Sequence, residues 1–334
     1  MPVADANVQA MVGIGAAAPF SVTGAGVLAY RSFGADTQLT WFDRSGKRLA
    51  DVGAPERYNA VELAPDGTRI AVERIEPRGN DPSIWLRDAD GYSPTGLTFT
   101  SGDHPRWSPD GRFVTFNRDN GVLRKSTDGQ GSEQELYHPP AGTYVGAVSD
   151  WSPDGHLLAI RQGPEGRGSG FGSLFLLPLT PGATPAPIPQ TQSRGQNARF
   201  SPDGRWLAYT SDESGIPEVY VQPLPSTGAK WLISRGGGIR PRWRSDGKEI
   251  FYIASTSVNG AGKLMAVSIE PQLSLRVGTP TPLLDMQFLP RNANDYPYSV
   301  SRDGQRILAV VPRDEATRAP VTIVFNSAAD LKKR

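Results

Sequence analysis

The sequence predicts an all-β fold, a seven-bladed β-propeller of four-stranded antiparallel blades. Three observations carry this. A turn of the Ser-Pro-Asp-Gly type recurs, each time followed by an alternating apolar run. Its copies are LAPDGTRIAVER (Leu63–Arg74), WSPDGRFVTFNR (Trp107–Arg118), WSPDGHLLAIRQ (Trp151–Gln162), FSPDGRWLAYTSDESG (Phe200–Gly215), WRSDGKEIFYIA (Trp243–Ala254) and VSRDGQRILAVV (Val300–Val311), with a degenerate FSVTGAGVLAYR at Phe20–Arg31. The turn glycines Gly24, Gly67, Gly111, Gly155, Gly204, Gly247 and Gly304 are 43, 44, 44, 49, 43 and 57 residues apart, the period of one blade. The ends also complement each other: Pro2 precedes Gly24 by 22 residues, as Pro282 precedes Gly304.

Within each repeat the turn is a hairpin. Pro presets φ at its second position, Asp tolerates the third, and Gly takes the positive φ that closes it. Around Gly204 the expected strands are Ala198–Ser201, Trp206–Thr210, Glu218–Gln222 and Lys230–Ser234. Around Gly111 they are His104–Ser108, Phe113–Asn117, Val122–Lys125 and Gln134–Tyr137. The last repeat supplies Tyr298–Ser301, Arg306–Val311 and Val321–Asn326 but no fourth strand. The segment Pro2–Val8 reads as an outer strand with no inner partners before it. Pairing it with the C-terminal blade would close the ring and leave no open edge. The chain is thus expected to be one domain over residues 1–334. Residues 2–8 close the ring, 20–326 form the blades, and 327–334 are a tail. Phe20, Trp107, Trp151, Phe200 and Trp243, with Leu63 and Val300 as aliphatic substitutes, share one repeat position and read as packing between blades.

Composition narrows the function. The chain has 35 basic and 34 acidic residues and no cysteine. Balanced charge argues against a nucleic-acid or anionic-membrane partner, and the lack of thiols excludes disulfides and thiolate metal sites. No apolar run reaches the roughly 20 residues that span a bilayer, so no membrane insertion is expected. The opening MPVADANVQAMVGIGAAAPF lacks a basic n-region and does not read as a signal peptide. Arg235, Arg240, Arg242 and Arg244 fall within one blade and read as solvated strand and loop positions.

WSPDG and FSPDGRWLAYTSDESG resemble the WD40-like (PD40) repeat of TolB-type bacterial β-propellers, over nearly the whole chain. LTWFDRSGKRL (Leu39–Leu49), SDESGIPEVYVQPLP (Ser211–Pro225) and APVTIVFNSAADLKKR (Ala319–Arg334) resemble the C-terminal propeller region of large bacterial Ser/Thr protein kinases. That resemblance implies an extracytoplasmic or periplasmic setting if the propeller is part of a longer membrane-anchored protein. It implies no phosphoryl transfer by this chain. The Gly-rich nucleotide loop with its strand lysine, the His-Arg-Asp loop and the Asp-Phe-Gly motif are all missing.

Chemical motifs are sparse. His138 and His156 read as surface residues. GRGSGFGS (Gly166–Ser173) does not fit a nucleophile elbow, GIGAAA (Gly13–Ala18) has no strand-to-helix setting, and GAGK (Gly260–Lys263) lacks Walker spacing. A binding site is placed by geometry instead. Loops leading into the innermost strands ring one mouth of the channel, and they carry Tyr58, Asn59, Asp103, His104, Tyr144, Asn197, Arg240, Asp295 and Tyr296. This set suits a protein, a peptide or a small polar ligand. No cofactor is expected, with Ca²⁺ left open because Asp103, Asp150 and Asp295 come from separate blades and offer oxygen ligands. The reading is a monomeric, non-catalytic ligand- or protein-binding propeller, the sensor or interaction module of a kinase or a free-standing relative. The alternative is a lactonase- or lyase-like hydrolase with a metal at the channel mouth.

Overall fold

A computed structural model describes residues 20–22, 28–31, 37–76, 81–91, 94–98, 100–165, 172–189, 195–256, 262–271, 275–286, 294–313 and 321–324. The chain forms two compact units, Gln38–Val311 and a second made of Met1–Thr37 with Pro312–Arg334.

The larger unit is a β-propeller of six blades, not seven. Blade I comprises Tyr58–Leu63, Arg69–Ile75, Pro82–Asp88 and Thr95–Gly96. Blade II comprises Asp103–Trp107, Phe113–Arg118, Gly121–Ser126 and Gln134–Tyr137. Blade III comprises Thr143–Trp151, Leu157–Pro164, Ser173–Pro178 and Ala186–Pro187, and blade IV Gln196–Phe200, Trp206–Ser211, Glu218–Pro223 and Trp231–Leu232. In blade V, Ile239–Trp243 and Glu249–Ala254 precede the long strand Gly262–Pro271, which pairs with both Leu275–Val277 and Thr281–Met286. That extra strand accounts for the 57-residue interval between Gly247 and Gly304.

Closure differs from the expected arrangement. Blade VI takes Tyr298–Val300 and Arg306–Pro312 from the C-terminal part of the unit and Thr37–Asp43 and Arg48–Glu56 from the N-terminal part. Thus the hairpin containing LTWFDRSGKRL completes the ring, two strands from each end. Pro2–Val8 lies outside the described residues. The degenerate repeat is not a blade either: Phe20–Val22 pairs with Leu28–Arg31, which pairs with Val321–Val324, in the smaller unit. FSVTGAGV has Thr where the six true turns have Asp, and so lacks the carboxylate that organises them.

That carboxylate has a defined task. In blade II the Ser108 hydroxyl donates to Asp110 Oδ1 at 2.6 Å, Arg112 N–H donates to the same oxygen at 3.0 Å, and Phe113 N–H donates to Ser108 Oγ at 2.9 Å. Gly111 closes the turn at φ +70°. Ser152–Asp154 and Ser301–Asp303 repeat the pattern, and the serine hydroxyl holds Asp110, Asp154 and Asp303 below the usual carboxylate range.

Six apolar clusters, among the described residues, fill the six junctions between neighbouring blades. The recurring aromatic position lies in these junctions. Trp107, Trp151 and Trp243 each donate the indole N–H to the preceding blade, at Glu62 O, Thr115 Oγ1 and Arg199 O, all at 3.1 Å. Blades VI and I are joined by Leu39, Trp41, Val52, Leu308 and Val310 against Tyr58, Val61, Ile70 and Val72.

Candidate functional site

The innermost strands all run from one end of the channel, here the leading end, to the Asp-Gly turns at the other. Bulges interrupt several of them, at Tyr58/Ala60, Val145/Ala147, Gln196/Arg199 and Ile239/Arg242. Seven residues before the turn glycine, His104, Asn197 and Arg240 adopt φ of 54°, 57° and 56°. These are left-handed conformations that tight local geometry must hold in place for such side chains.

Five residues before each turn glycine stand Glu62, Arg106, Asp150, Arg199, Arg242 and Ser299. One repeat position therefore contributes two acids, three arginines and a serine to a single ring. Arg199 grips both Glu62 oxygens at 3.1 Å, and Arg242 does so at 3.0 and 2.6 Å. Arg106 lies 3.6 Å from Glu62 and donates at 2.7 Å to Ser149 O and Pro105 O. Asp150 accepts from Arg199 at 3.3 Å and from Phe200 N–H at 2.9 Å. Burial would raise the Glu62 carboxyl, but Arg199, Arg242 and Arg106 outweigh it and hold the group far below its ordinary value. Burial and repulsion from Arg199 push Arg106 down to about 10. Beneath the ring lies Tyr296, fully buried, with the Arg106, Arg199 and Arg242 guanidinium carbons 4.7, 4.1 and 4.5 Å from its centroid. Its hydroxyl donates to Asn197 O at 3.0 Å. The channel is packed at this level.

At the leading end, contacts through Glu73 and His104 link Asn59, Asp103, Arg240 and Asp295, mostly under cover, whereas Tyr58 packs into the junction of blades VI and I. Tyr58, Asn59, His104, Asn197, Arg240, Asp295 and Tyr296 are buried, while Asp103 and Tyr144 are partly exposed. His104 Nδ1 is 3.1 Å from Asp103 and Nε2 is 3.6 Å from Asp295. Its backbone N–H donates to Glu73 Oε2 at 3.0 Å, and Asn59 Nδ2 donates to Oε1 at 3.0 Å. Arg240 Nε donates to Asp295 O at 2.5 Å. Among the described residues no three His, Cys, Asp or Glu are grouped to hold a metal ion. Asp103 and Asp295 meet at His104, whereas Asp150 is engaged in the ring.

This cluster makes stability depend on pH. Burial opposes the His104 charge, but Asp103, Glu73 and Asp295 override it and raise the imidazole to about 9. Burial and Asp295 raise Glu73 to about 8. Both groups keep a proton in the folded state over a range where the unfolded chain releases it, so stability declines as pH rises. The decline starts near the ordinary Glu value for Glu73 and near the ordinary His value for His104, and ends once both folded groups have ionised or lost their proton. Denaturant unfolding between pH 5 and 9 should show a progressive loss of several kcal/mol. Glu73→Gln should flatten the lower half of the profile. A wild-type curve flat over this range would contradict the assignment.

At the turn end the channel opens into a recess of about 220 Å³ whose floor is Glu62, Asp150, Arg199 and Arg242 and whose rim includes Pro202 and Arg302. A second recess of about 680 Å³ adjoins it and is lined by Trp41, Asp66, Arg244, Asp246, Arg302 and Arg306. The two share Leu63, Gly67, Ser245, Ser301 and Arg302. In blades V and VI the turn proline is replaced by Ser245 and Arg302, and the Ser245 hydroxyl donates to Arg302 O at 2.7 Å.

Several of these residues departed from the sequence reading. Arg240 and Arg242 are buried, at 0 % and 7 % exposure, not solvated. A buried guanidinium is tolerated here because carbonyl and carboxylate acceptors surround it. Arg235 is exposed, and Arg244 pairs with Asp246 and Glu249. His138 and His156 are exposed. Glu62, Arg106, Arg199 and Glu73 were not singled out, although aligning the repeats on the turn glycine brings the ring into one column.

The chain matches no family model. It is 28 % identical over 153 residues to the uncharacterized protein Atu1656 of Agrobacterium fabrum, covering 45 % of this chain and 50 % of that one. It is 27 % identical over 224 residues to the uncharacterized peptidase YuxL of Bacillus subtilis, covering 51 % of this chain and 33 % of that one. The chain thus spans about half the length of one relative and about a third of the other. Among solved structures, a protein from Agrobacterium tumefaciens assigned to TolB aligns with a TM-score of 0.63 at 16 % identity, over 83 % of this chain and 98 % of that one. TolB from Acinetobacter baumannii aligns at 0.52 and 15 % identity, over 88 % and 78 %. An oligogalacturonate lyase in complex with manganese aligns at 0.54 and 14 % identity, over 91 % and 83 %. Likeness at these identities speaks for the fold: the larger unit is a TolB-like β-propeller of six antiparallel blades, four-stranded but for the extra strand of blade V.

Proposed function

We propose that this chain is a non-catalytic recognition module that binds a protein, a peptide or a small polar ligand in the joined recesses at the turn end of the propeller. The observation that supports this reading is the Glu62 ring. The charged groups at the middle of the channel neutralise one another and are packed over Tyr296, so the open, mixed-charge concavity lies outside the ring. Binding sites favour such a concavity with a few convergent polar groups. The module acts as a monomer without metal or cofactor. The resemblance of Leu39–Leu49, Ser211–Pro225 and Ala319–Arg334 to kinase-linked propellers favours an extracytoplasmic setting, as the sensor of a membrane-anchored Ser/Thr kinase or as a free-standing relative.

A photo-crosslinking residue at position 302 should yield a discrete adduct in extracts of the source cells, and the same residue at exposed Asp128 should not. Arg302→Glu should weaken capture at least tenfold. Equal labelling from both positions would overturn the reading.

The buried group of His104 between Asp103 and Asp295 favours a second reading, acid–base chemistry at the leading end, as in a lyase or lactonase. Lactone hydrolysis or polyuronate cleavage, lost on chelation and in His104→Gln, would establish it in place of the first.

A further inference from the structure

We propose that Arg161 is the cationic wall of a carboxylate-binding site at the leading end of the channel, at the junction of blades III and IV. The repeat itself points to the site. Six residues after each turn glycine, on the second strand, stand Glu73, Asn117, Arg161, Thr210, Ile253 and Val310. Three of these accept a hydrogen bond from the backbone N–H of the next blade, at the residue seven before its turn glycine. Glu73 accepts from His104 at 3.0 Å, Asn117 from Val148 at 2.7 Å and Thr210 from Arg240 at 3.2 Å. Ile253 stands before Pro297, which has no N–H to offer. Nothing in the structure explains Val310. Blade III alone puts a donor-only side chain at a position where three other blades put an acceptor, because a guanidinium accepts no hydrogen bond.

Arg161 is 2 % exposed, among the largest fully covered side chains of the protein. Its Nε and Nη2 have no hydrogen-bond partner among the described residues, and it forms no ion pair with any of them. The side chain reaches back over Gly146, the bulged residue of its own innermost strand, where a Cβ would collide with Nε and Nη2. Burial lowers the Arg161 pKa, and among the described residues the Tyr144 hydroxyl is the charge-bearing neighbour that acts on it. Arginine nevertheless stays protonated. A buried, uncompensated cation costs several kcal/mol, and buried polar groups are satisfied in native proteins. A planar carboxylate accepts from a guanidinium at two atoms, so it fits Nε and Nη2 together. Partly exposed Tyr144 adjoins Arg161. The site is at the opposite end of the channel from the recesses described above, and it stands independently of their role.

The test uses the intact protein in sodium acetate against sodium chloride at equal ionic strength, with triglycine and triglycine amide as the arms that separate a small carboxylate from a chain terminus. Acetate or triglycine should raise the unfolding temperature by about 3 °C at saturating concentration, and the amide should not. A shift with acetate assigns the site to small carboxylates, and a shift with triglycine alone assigns it to peptide termini. Arg161→Met should abolish the shift and unfold no lower than wild type in chloride, whereas Arg161→Lys should retain part of the shift. The Arg161 Nε–H resonance of the wild type should move on titration, which holds the test open if a variant does not fold. An unmoved resonance, an equal shift in Arg161→Met, or a lower midpoint for Arg161→Met in chloride without any acetate effect would overturn the proposal.

Discussion

Glu62→Gln should destabilise the propeller by about 3–5 kcal/mol, the usual loss when one partner of a buried ion pair is removed. The substitution keeps the shape of the side chain and takes away only its charge. Arg106, Arg199 and Arg242 would then share a buried ring with Asp150 as their sole acid, all three over the face of Tyr296. Replacing a surplus arginine should therefore help. Arg242 spends its guanidinium on Glu62 and on Val61 O, so Arg242→Met should cost more in the wild type than in Glu62→Gln. Urea unfolding of the four proteins should give a coupling energy of at least about 1 kcal/mol. If Glu62→Gln costs less than about 1 kcal/mol, water reaches the ring and screens it, and the channel is not sealed at that level.

The same ring marks where sequence reasoning reached and where it stopped. The Asp-Gly turns are local chemistry, and they located all six blades. The blade count failed for a nonlocal reason. FSVTGAGVLAYR has the spacing of a repeat, yet strand partners are chosen by packing, and its hairpin pairs with Val321–Val324 instead. The closing strands were in view as LTWFDRSGKRL, but periodicity cannot say which edge a hairpin fills. At the leading end, Asp103, His104 and Asp295 do meet, because the innermost strands of blades II and VI both begin at that end of the channel. What sequence could not show was the burial of His104 and Asp295, nor the bulges that turn His104, Asn197 and Arg240 into left-handed conformations. A bulge changes which face a side chain takes without changing the alternation of residue types. The ring was missed for a different reason. A lone arginine or glutamate on a strand reads as surface, and only the column across the repeats brings these charges into one ring.

Trp41→Ala should be the most damaging single truncation on the outer half of the propeller, at about 3–5 kcal/mol. Trp41 lies on Thr37–Asp43, the third strand of blade VI and the N-terminal half of the closure. It is 6 % exposed, packs with Leu39, Val52, Tyr58 and Ile70, and donates its indole N–H to Ala89 O of the blade I side at 3.2 Å. The Arg306 guanidinium covers its ring at 4.8 Å. Trp231, on the outer strand of blade IV, is the fair comparison. It stacks edge-on against Trp206 at 5.4 Å but is only half-buried, so Trp231→Ala should cost about 1–2 kcal/mol, in proportion to the smaller area lost. In an array of units, stability is a sum of units and the interfaces between neighbours. A closed ring of six has one interface more than the open chain of the same blades, and Trp41 belongs to that interface. Loosening it also frees the edge of Arg306–Pro312 to pair elsewhere. Trp41→Ala should therefore unfold less cooperatively and aggregate on heating, while Trp231→Ala keeps a single sharp transition. Equal losses for the two variants would mean that the Thr37–Asp43 strand is ornamental to a ring held by its C-terminal strands alone.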